Sequence, residues 1–436
     1  MNWRKVKLGE ILTDRKDRFK PDNKTISDLK RIDKIDFSGN IFLSDKPSNT
    51  DMILVKKGDL VISGINVEKG AMSVYQGEED IIATIHYSSY EFDKQKIDIE
   101  FLKLFLKSST FKQALKEQVP GGIKTEIKPK HLLPLTVEFP TTLREQQAIV
   151  EDLIHKFSQL DDLSSAHSSQ LDLIKKIRKQ ILSDAMRGKL APQNPDDEPA
   201  SELLKRIKTE KTKLGKKEKP LPEIKPEEIP FEIPENWTWC RLGEVCIVNP
   251  RNKADDETDS GFSPMPLIYS EYNRNLDFEI KKWKQIKSGF THFADNDVIV
   301  AKITPCFQNS KAAVVKGLPN KIGAGSTELY TFRALNNIVP EYIYAFVKNP
   351  DLLKEGERIM RGVAGQQRVP RDFFENKLIP LPPLSEQQCI VSKIDELMEL
   401  CDALEVNVRN NQEYVQMLYK EVLREGLQSN TGTKPI

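Results

Sequence analysis

Only a few residue patterns in this chain could do covalent chemistry. Glu126, Ile127 and Lys128 spell the ExK half of a nuclease-like carboxylate–lysine motif, but no Pro-Asp strand precedes them at a sensible distance. When the chain is aligned with itself, the place of Glu126 is taken by Gln367. The run Gly323-Ala324-Gly325-Ser326 is too short to stand for a GxGxxG dinucleotide loop. His86, His131, His155 and His292 stand singly, without a second ligand at metal spacing. There is no GxxxxGK[ST] phosphate loop, no HExxH, no GxSxG elbow, and no Asn/Asp-Pro-Pro-aromatic motif of amino-methyltransferases. The five cysteines (Cys240, Cys246, Cys306, Cys389, Cys401) form no CxxC pair, so neither a disulfide framework nor a zinc ribbon is expected. These patterns point to a chain that binds rather than catalyses.

The elements that position side chains are written twice. Gly121, Pro129, Leu143, Glu145, Gln146, Gln147, Ile149 and Val150 return, shifted by 241 without a gap, as Gly362, Pro370, Leu384, Glu386, Gln387, Gln388, Ile390 and Val391. Trp3, Leu8, Gly9 and Glu10 return as Trp237, Leu242, Gly243 and Glu244, and GDLVIS from Gly58 resembles NDVIVA from Asn296. Each copy opens with short alternating apolar runs, turn residues and brief helical patterns, which predict a compact α+β domain over 1–142 and again over 237–383. Each then becomes a long helix, over 143–187 and 384–427. Val150, Leu153, Phe157, Leu160, Ser164, His167, Leu171, Ile174, Arg178, Ile181 and Ala185 follow a 4-3 spacing, as do Val391 to Val422. A 3.5-residue period over five heptads predicts that the two helices pair as an antiparallel coiled coil, with about 65 Å of rod serving as a spacer. The polar seam positions Ser164, His167, Glu405 and Gln412 weaken that pairing but can fix its register. The fold class is thus α+β, two similar domains separated by paired helices in a pseudo-two-fold repeat.

Residues 188–236 carry eight prolines from Pro192 to Pro234. Ser201 can cap a short basic helix, after which Lys, Glu and Pro read as a solvated tether, and 428–436 read as a flexible tail. The 436 residues hold 66 Lys+Arg against 65 Asp+Glu, a net of +1 that offers no general case for a polyanion partner. By segment the balance differs: 1–142 and 237–383 each carry +3, while 384–436 carries −4. Two mildly basic domains are offset mainly by an acidic C-terminal helix, so tight binding of a polyanion would need partners to complete the positive groove. No run reaches the roughly 18 apolar residues of a membrane span, and MNWRKVKLGE lacks a secretory core, so a cytoplasmic protein is expected.

Three stretches resemble the specificity subunit of type I restriction-modification systems. IRKQILSDAMRGKLAPQNPDDEPASELLKRIK from Ile177 is similar to that family's central conserved region. PFEIPENWTWCRLGEV from Pro230 is similar to the start of a second target-recognition domain, and IPLPPLSEQQCIV from Ile379 to the motif that ends one and begins a conserved helix. The resemblance implies a non-catalytic chain that recognises an asymmetric, bipartite site on double-stranded DNA, one half per recognition domain. It implies two modification subunits that methylate adenine N6 with S-adenosylmethionine, and restriction subunits that use ATP and Mg. None of these cofactors would be bound by this chain.

Given that resemblance, the candidate DNA readers are polar segments at equivalent places in both copies, because cations hold phosphates while Arg, Lys, Asn and Gln reach base edges. After the LGE motif stand Arg15, Lys16, Arg18 and Lys20, matched by Asn249, Arg251, Asn252 and Lys253. Before each long helix stand Lys124, Thr125, Lys128 and Lys130, matched by Arg361, Gln366, Gln367, Arg368 and Arg371 around glycines that let the backbone approach phosphate. After the shared strand stand Asn66, Glu68 and Lys69, matched by Lys302, Thr304, Gln308 and Asn309. Two identical methyltransferase subunits would need two similar docking surfaces, and the recurring trios Glu145, Gln146, Gln147 and Glu386, Gln387, Gln388 are the candidates; helix capping is their other reading. Two rival functions stay open from the residues alone: a single-chain nuclease or methyltransferase on the same domains, and a coiled-coil adaptor that binds protein.

Overall fold

The computed structural model describes residues 2–46, 48–118, 126–213, 221–272, 276–363 and 365–428. The chain forms two units, residues 1–168 with 409–436, and residues 169–408. The long helices run Leu143–Met186 and Leu384–Gly426, so each unit contains part of both.

In unit one an antiparallel ladder of Trp3–Lys7 with Thr136–Pro140 ties the start of the recognition domain to its end. A four-stranded antiparallel sheet follows in the order Leu12–Asp14, Tyr87–Phe92, Leu60–Ser63, Met72–Val74. Its central strand is buried on both faces, because period-two alternation sends Leu60 and Ile62 to one cluster and Val61 to the other. The first cluster joins the sheet to helix Ile99–Lys107, with Phe105 edge-on to Phe139 at 4.8 Å, and to Leu153 and Leu427 at the ends of the long helices. The second lies under a five-stranded mixed sheet ordered Arg18–Phe19, Met52–Val55, Ile81–Thr84, Arg31–Ile35, Ile41–Ser44.

Unit two repeats the plan. Thr238–Arg241 pairs with Leu378–Leu381, and the central sheet runs Cys246–Val248, Leu329–Ala334, Asp297–Ala301, Ala312–Val314, each strand antiparallel to its neighbour. Strand for strand this is the order found in unit one. The second sheet is where the copies part: here it has four strands, Glu279–Lys282, Asp259–Ser263, Ile322–Gly325 and Thr291–Ala294.

The helices pair antiparallel within each unit. In unit one Leu153 lies against Gly426, and Phe157 stacks on Tyr419 at 5.5 Å. In unit two Arg178 reaches Asp402 at 2.7 Å and Glu405 at 3.2 Å, so the polar seam position Glu405 is neutralised by a seam arginine on the other helix. Val150, Leu153, Leu160, Ile174, Ile181 and Ala185 of the 4-3 pattern are buried, as are Ile394, Met398, Cys401, Val408 and Val415.

The stretch before unit two's first strand differs from the tether expected of it. Helix Ala200–Lys213 buries Leu203, Leu204 and Ile207 in unit two's main core beside Leu242 and Val245. Residues 222–228 then wrap Arg241, whose guanidinium donates to the carbonyls of Pro222, Glu223 and Asn376 and pairs with Glu228 at 2.9 Å. A buried guanidinium needs its five N–H donors met, and a proline-rich strand without sheet partners has free carbonyls to meet them.

Candidate nucleic-acid interface

In unit two the two predicted reading loops meet. Thr304 N–H donates to the Gln367 carbonyl at 2.9 Å, Gln367 N–H donates to the Thr304 hydroxyl at 3.1 Å, and Val369 N–H donates to the Lys302 carbonyl at 2.9 Å. Arg368 then folds onto Glu328, with Nε and one amino group each 2.8 Å from a carboxylate oxygen. That guanidinium holds the Glu328 carboxyl below its usual range. Burial pushes the Lys302 amine down, and its ammonium lies 5.0 Å over the Tyr330 ring. Arg361 and Gln366 are exposed, while Arg371 divides its guanidinium between Glu375 at 2.8 Å and the Val248 carbonyl.

The same junction exists in unit one with different side chains. Ile127 N–H donates to the Gly64 carbonyl, Gly64 N–H to His86, and Lys302 N–H to Glu328, so Gly64 corresponds to Lys302, His86 to Glu328 and Ile127 to Val369. Glu126 is therefore the counterpart of Arg368, not of Gln367 as the ungapped alignment gives. The acid and the base have traded places: Glu126 contacts His86 at 3.2 Å and Lys128 at 3.3 Å, where Arg368 contacts Glu328. The carboxylate of the ExK motif is thus held between two side chains. Lys128 and Lys130 are exposed. Lys124 and Thr125, with the glycines before them, lie outside the described residues.

The first predicted loop is split by the structure. Lys16 and Arg18 are exposed, and Lys20 reaches Asp51 at 3.1 Å on the surface. Arg15 contradicts the expectation of a DNA reader: its side chain is 13% exposed and is spent on Asp59, at 2.6 and 2.8 Å. Burial raises the Asp59 carboxyl, but Arg15, the Lys56 N–H and the Ser89 hydroxyl outweigh it and hold it below the usual range. In unit two Arg251 and Lys253 are exposed, whereas Asn252 faces inward, donating to the Phe293 carbonyl at 2.7 Å and accepting from Arg333 at 2.9 Å. Asn249 accepts from Thr331 N–H at 3.0 Å.

The two trios also divide, and four of their six side chains are engaged by hydrogen bonds within the chain. Gln146 is 1% exposed: its amide oxygen accepts from Asp98 N–H at 2.7 Å and its amide nitrogen donates to the Pro140 carbonyl. Gln387 repeats this with Val339 N–H at 2.9 Å and the Pro382 carbonyl. Asp98 and Val339 are the N-cap residues of equivalent helices, so each glutamine clamps a recognition domain to its own long helix. Glu145 closes a capping box with Thr142 and accepts from Asn2 N–H, which lowers its carboxyl. Glu386 is buried under Trp237, whose indole donates at 2.8 Å, and burial raises its carboxyl. Gln147 and Gln388 are exposed.

Sequence reasoning missed Glu328, Arg333 and Lys348. The signal for Arg333 was present: Asp59 and Asp297 each open a strongly apolar strand, and a buried acid requires a cation from elsewhere in the chain. Lys348 is 5% exposed, and its ammonium donates to the carbonyls of Ser270, Glu271 and Ser310 at 2.8–2.9 Å. It rivets the segment after Asp259–Ser263 to the end of the 302–310 loop.

Residues 234–412 match the family described as the type I restriction modification DNA specificity domain. Most of that match lies in unit two, and unit one holds a second copy of its central sheet and junction. The chain is 48% identical over 290 residues to the type I restriction enzyme EcoAI specificity subunit of Escherichia coli, covering 64% of this chain and 49% of that one. It is 49% identical over 265 residues to the EcoEI specificity subunit, covering 59% and 45%. It spans about half the length of these curated relatives. Residues 234–412 thus match a domain of that family, and the chain is similar to type I restriction enzyme specificity subunits over 59–64% of its length. Its fold is shared by the HsdS subunit of Thermoanaerobacter tengcongensis, at 16% identity and a TM-score of 0.56, with 98% of this chain and 97% of that chain covered. A chain solved for the complex assembly and conformational transition of the type I R-M system matches at 15% identity and a TM-score of 0.58, with 98% of each covered.

Proposed function

We propose that this chain chooses the DNA sequence on which a type I restriction-modification complex acts, each recognition domain taking one half of an asymmetric, bipartite site. The observation that carries the reading is the repeated junction of two loops beside one central sheet order, filled with different side chains in the two copies. A repeated frame with exchanged side chains suits two domains that read different half-sites. A homodimer could not differ in this way.

The partners in this reading are two modification subunits, which supply S-adenosylmethionine chemistry at adenine N6, and restriction subunits that use ATP and Mg. Apolar side chains standing in solvent on the long helices support a protein partner there: Leu173, Leu400 and Leu404 in unit two, and Ile154, Leu163, Tyr414 and Met417 in unit one. No helix among the described residues is long and apolar enough to cross a membrane, and the reading places the complex in the cytoplasm with its DNA. The test is duplex binding by the chain co-purified with its modification subunit. Retention of one bipartite sequence over a mixed-sequence duplex, with affinity falling steeply as salt rises, is the expected result. Equal retention of all duplexes would contradict the specificity reading.

A further inference from the structure

The described residues from Arg361 to Arg368 are tied together by backbone hydrogen bonds. Arg361 and Arg368 exchange both backbone hydrogen bonds, at 3.0 and 2.8 Å, and Arg368 bridges to Ile303. Inside this neck, Gln366 N–H donates to the Val363 carbonyl at 3.0 Å, and the amino group of Arg368 not used by Glu328 donates to the Gln366 carbonyl at 3.0 Å. Gly362 sits at φ +130°, where a Cβ would stand 2.9 Å from the Gln366 carbonyl oxygen. Residue 364 lies outside the described residues.

Two side chains stand on this frame. Val363 is 71% exposed, the highest value among the exposed large apolar side chains of the described residues, and the Gln366 side chain is exposed beside it. Exposed Arg361 and Arg371 flank them. A bare isopropyl group next to a primary amide matches the major-groove edge of one base pair in particular. Adenine offers N6–H to the amide oxygen and N7 to the amide nitrogen, and its thymine offers a methyl group. Guanine would set O6 against the amide oxygen, and cytosine has no methyl. Because the neck is already closed, little ordering cost is left to bind.

We propose that this tip enters the major groove and reads one A·T pair, with Gln366 on adenine and Val363 against the thymine methyl. Glu328 and Arg368 are positioning residues that aim Gln366 and do not touch the base. The inference rests on the DNA-specificity reading and adds which residues of unit two discriminate, and against what.

The experiment first takes the methylated motif of the wild-type complex; absence of any bipartite motif would sink the function reading and this proposal with it. With a motif in hand, Gln366→Leu relaxes a single A·T position in one half-site, with preference there falling about 5- to 150-fold, and leaves the other half-site intact. Replacing that thymine by uracil, which lacks the methyl, weakens the wild-type complex but not Val363→Ala. Glu328→Gln relaxes the same position and no other, a pattern that general loss of fold would not give. If Gln366→Leu and Val363→Ala leave the motif unchanged, or weaken all duplexes alike, the proposal is wrong.

Discussion

Asp297 accepts two hydrogen bonds from Arg333, at 2.8 and 2.7 Å to its two carboxylate oxygens, from the position directly opposite it on the paired strand. In unit one the equivalent Asp59 receives the same bidentate grip from Arg15. Arg15 and Asn249 are equivalent, since their N–H groups donate to Ser89 and Thr331 at the same point of the sheet, and Glu91 then occupies the place of Arg333. The buried acid is kept while its cation moves from one neighbouring position to the other.

Removing that cation leaves a buried carboxylate alone, which costs about 3–5 kcal/mol. Arg15→Asn therefore destabilises unit one by roughly that amount. Adding Glu91→Arg rebuilds unit two's arrangement and restores most of the loss. Hydrogen exchange of the amides of Leu60–Ser63 reads this directly, and a double variant no better protected than Arg15→Asn would refute the equivalence.

The glutamine clamps give a second contrast. Gln387→Leu leaves the half-buried Val339 N–H unmet, at a cost of about 1–3 kcal/mol, while Gln388→Leu, on the surface one residue later, changes stability by under about 0.5 kcal/mol. Urea denaturation of the two variants checks this.

Surface substitution on the helices separates docking from folding. Leu404→Asp, at a side chain 51% exposed, should leave the melting temperature nearly unchanged and reduce co-purification of the modification subunit. Undiminished co-purification would move the docking surface elsewhere.

Lys348 sets a pH dependence. Burial pushes its amine down to about 7, opposed by the nearby Glu271 carboxylate. An unfolded lysine titrates near about 10.4, so between about pH 7 and 10.4 the unfolded chain binds more protons and the group's contribution favours the folded state increasingly as pH rises. Its burial is most costly below pH 7. Melting temperatures from pH 6.5 to 9.5 should show a rise in the wild type relative to Lys348→Met; parallel curves would contradict it.

Much of the architecture was legible in the residues because repetition and period-3.5 spacing are written locally. The seam from Val150 to Ala185 could be read by counting. The junctions could not, because their partners lie far apart in the chain: Arg333 is 36 residues from Asp297, and Glu328 is 40 from Arg368. Arg15 was misjudged for the same reason, since nothing near it in sequence shows that Asp59 is waiting under it. The trios Glu145 to Gln147 and Glu386 to Gln388 recur because they hold each domain on its helix, a constraint as strict as docking and indistinguishable from it by repetition alone. The proline-rich stretch misled because composition reports solvation tendency, not the appetite of Arg241 for carbonyls.

If this chain alone chooses the methylated sequence, methylation at that sequence depends on its presence. Sequencing DNA with base-modification detection, in cells carrying the modification subunit with and without this chain, tests it most directly. The expected result is N6-methyladenine at one asymmetric bipartite motif that vanishes when the chain is deleted and returns when it is restored. Persistence of the same methylated motif without the chain, or no bipartite motif with it, would mean that this chain does not choose the sequence.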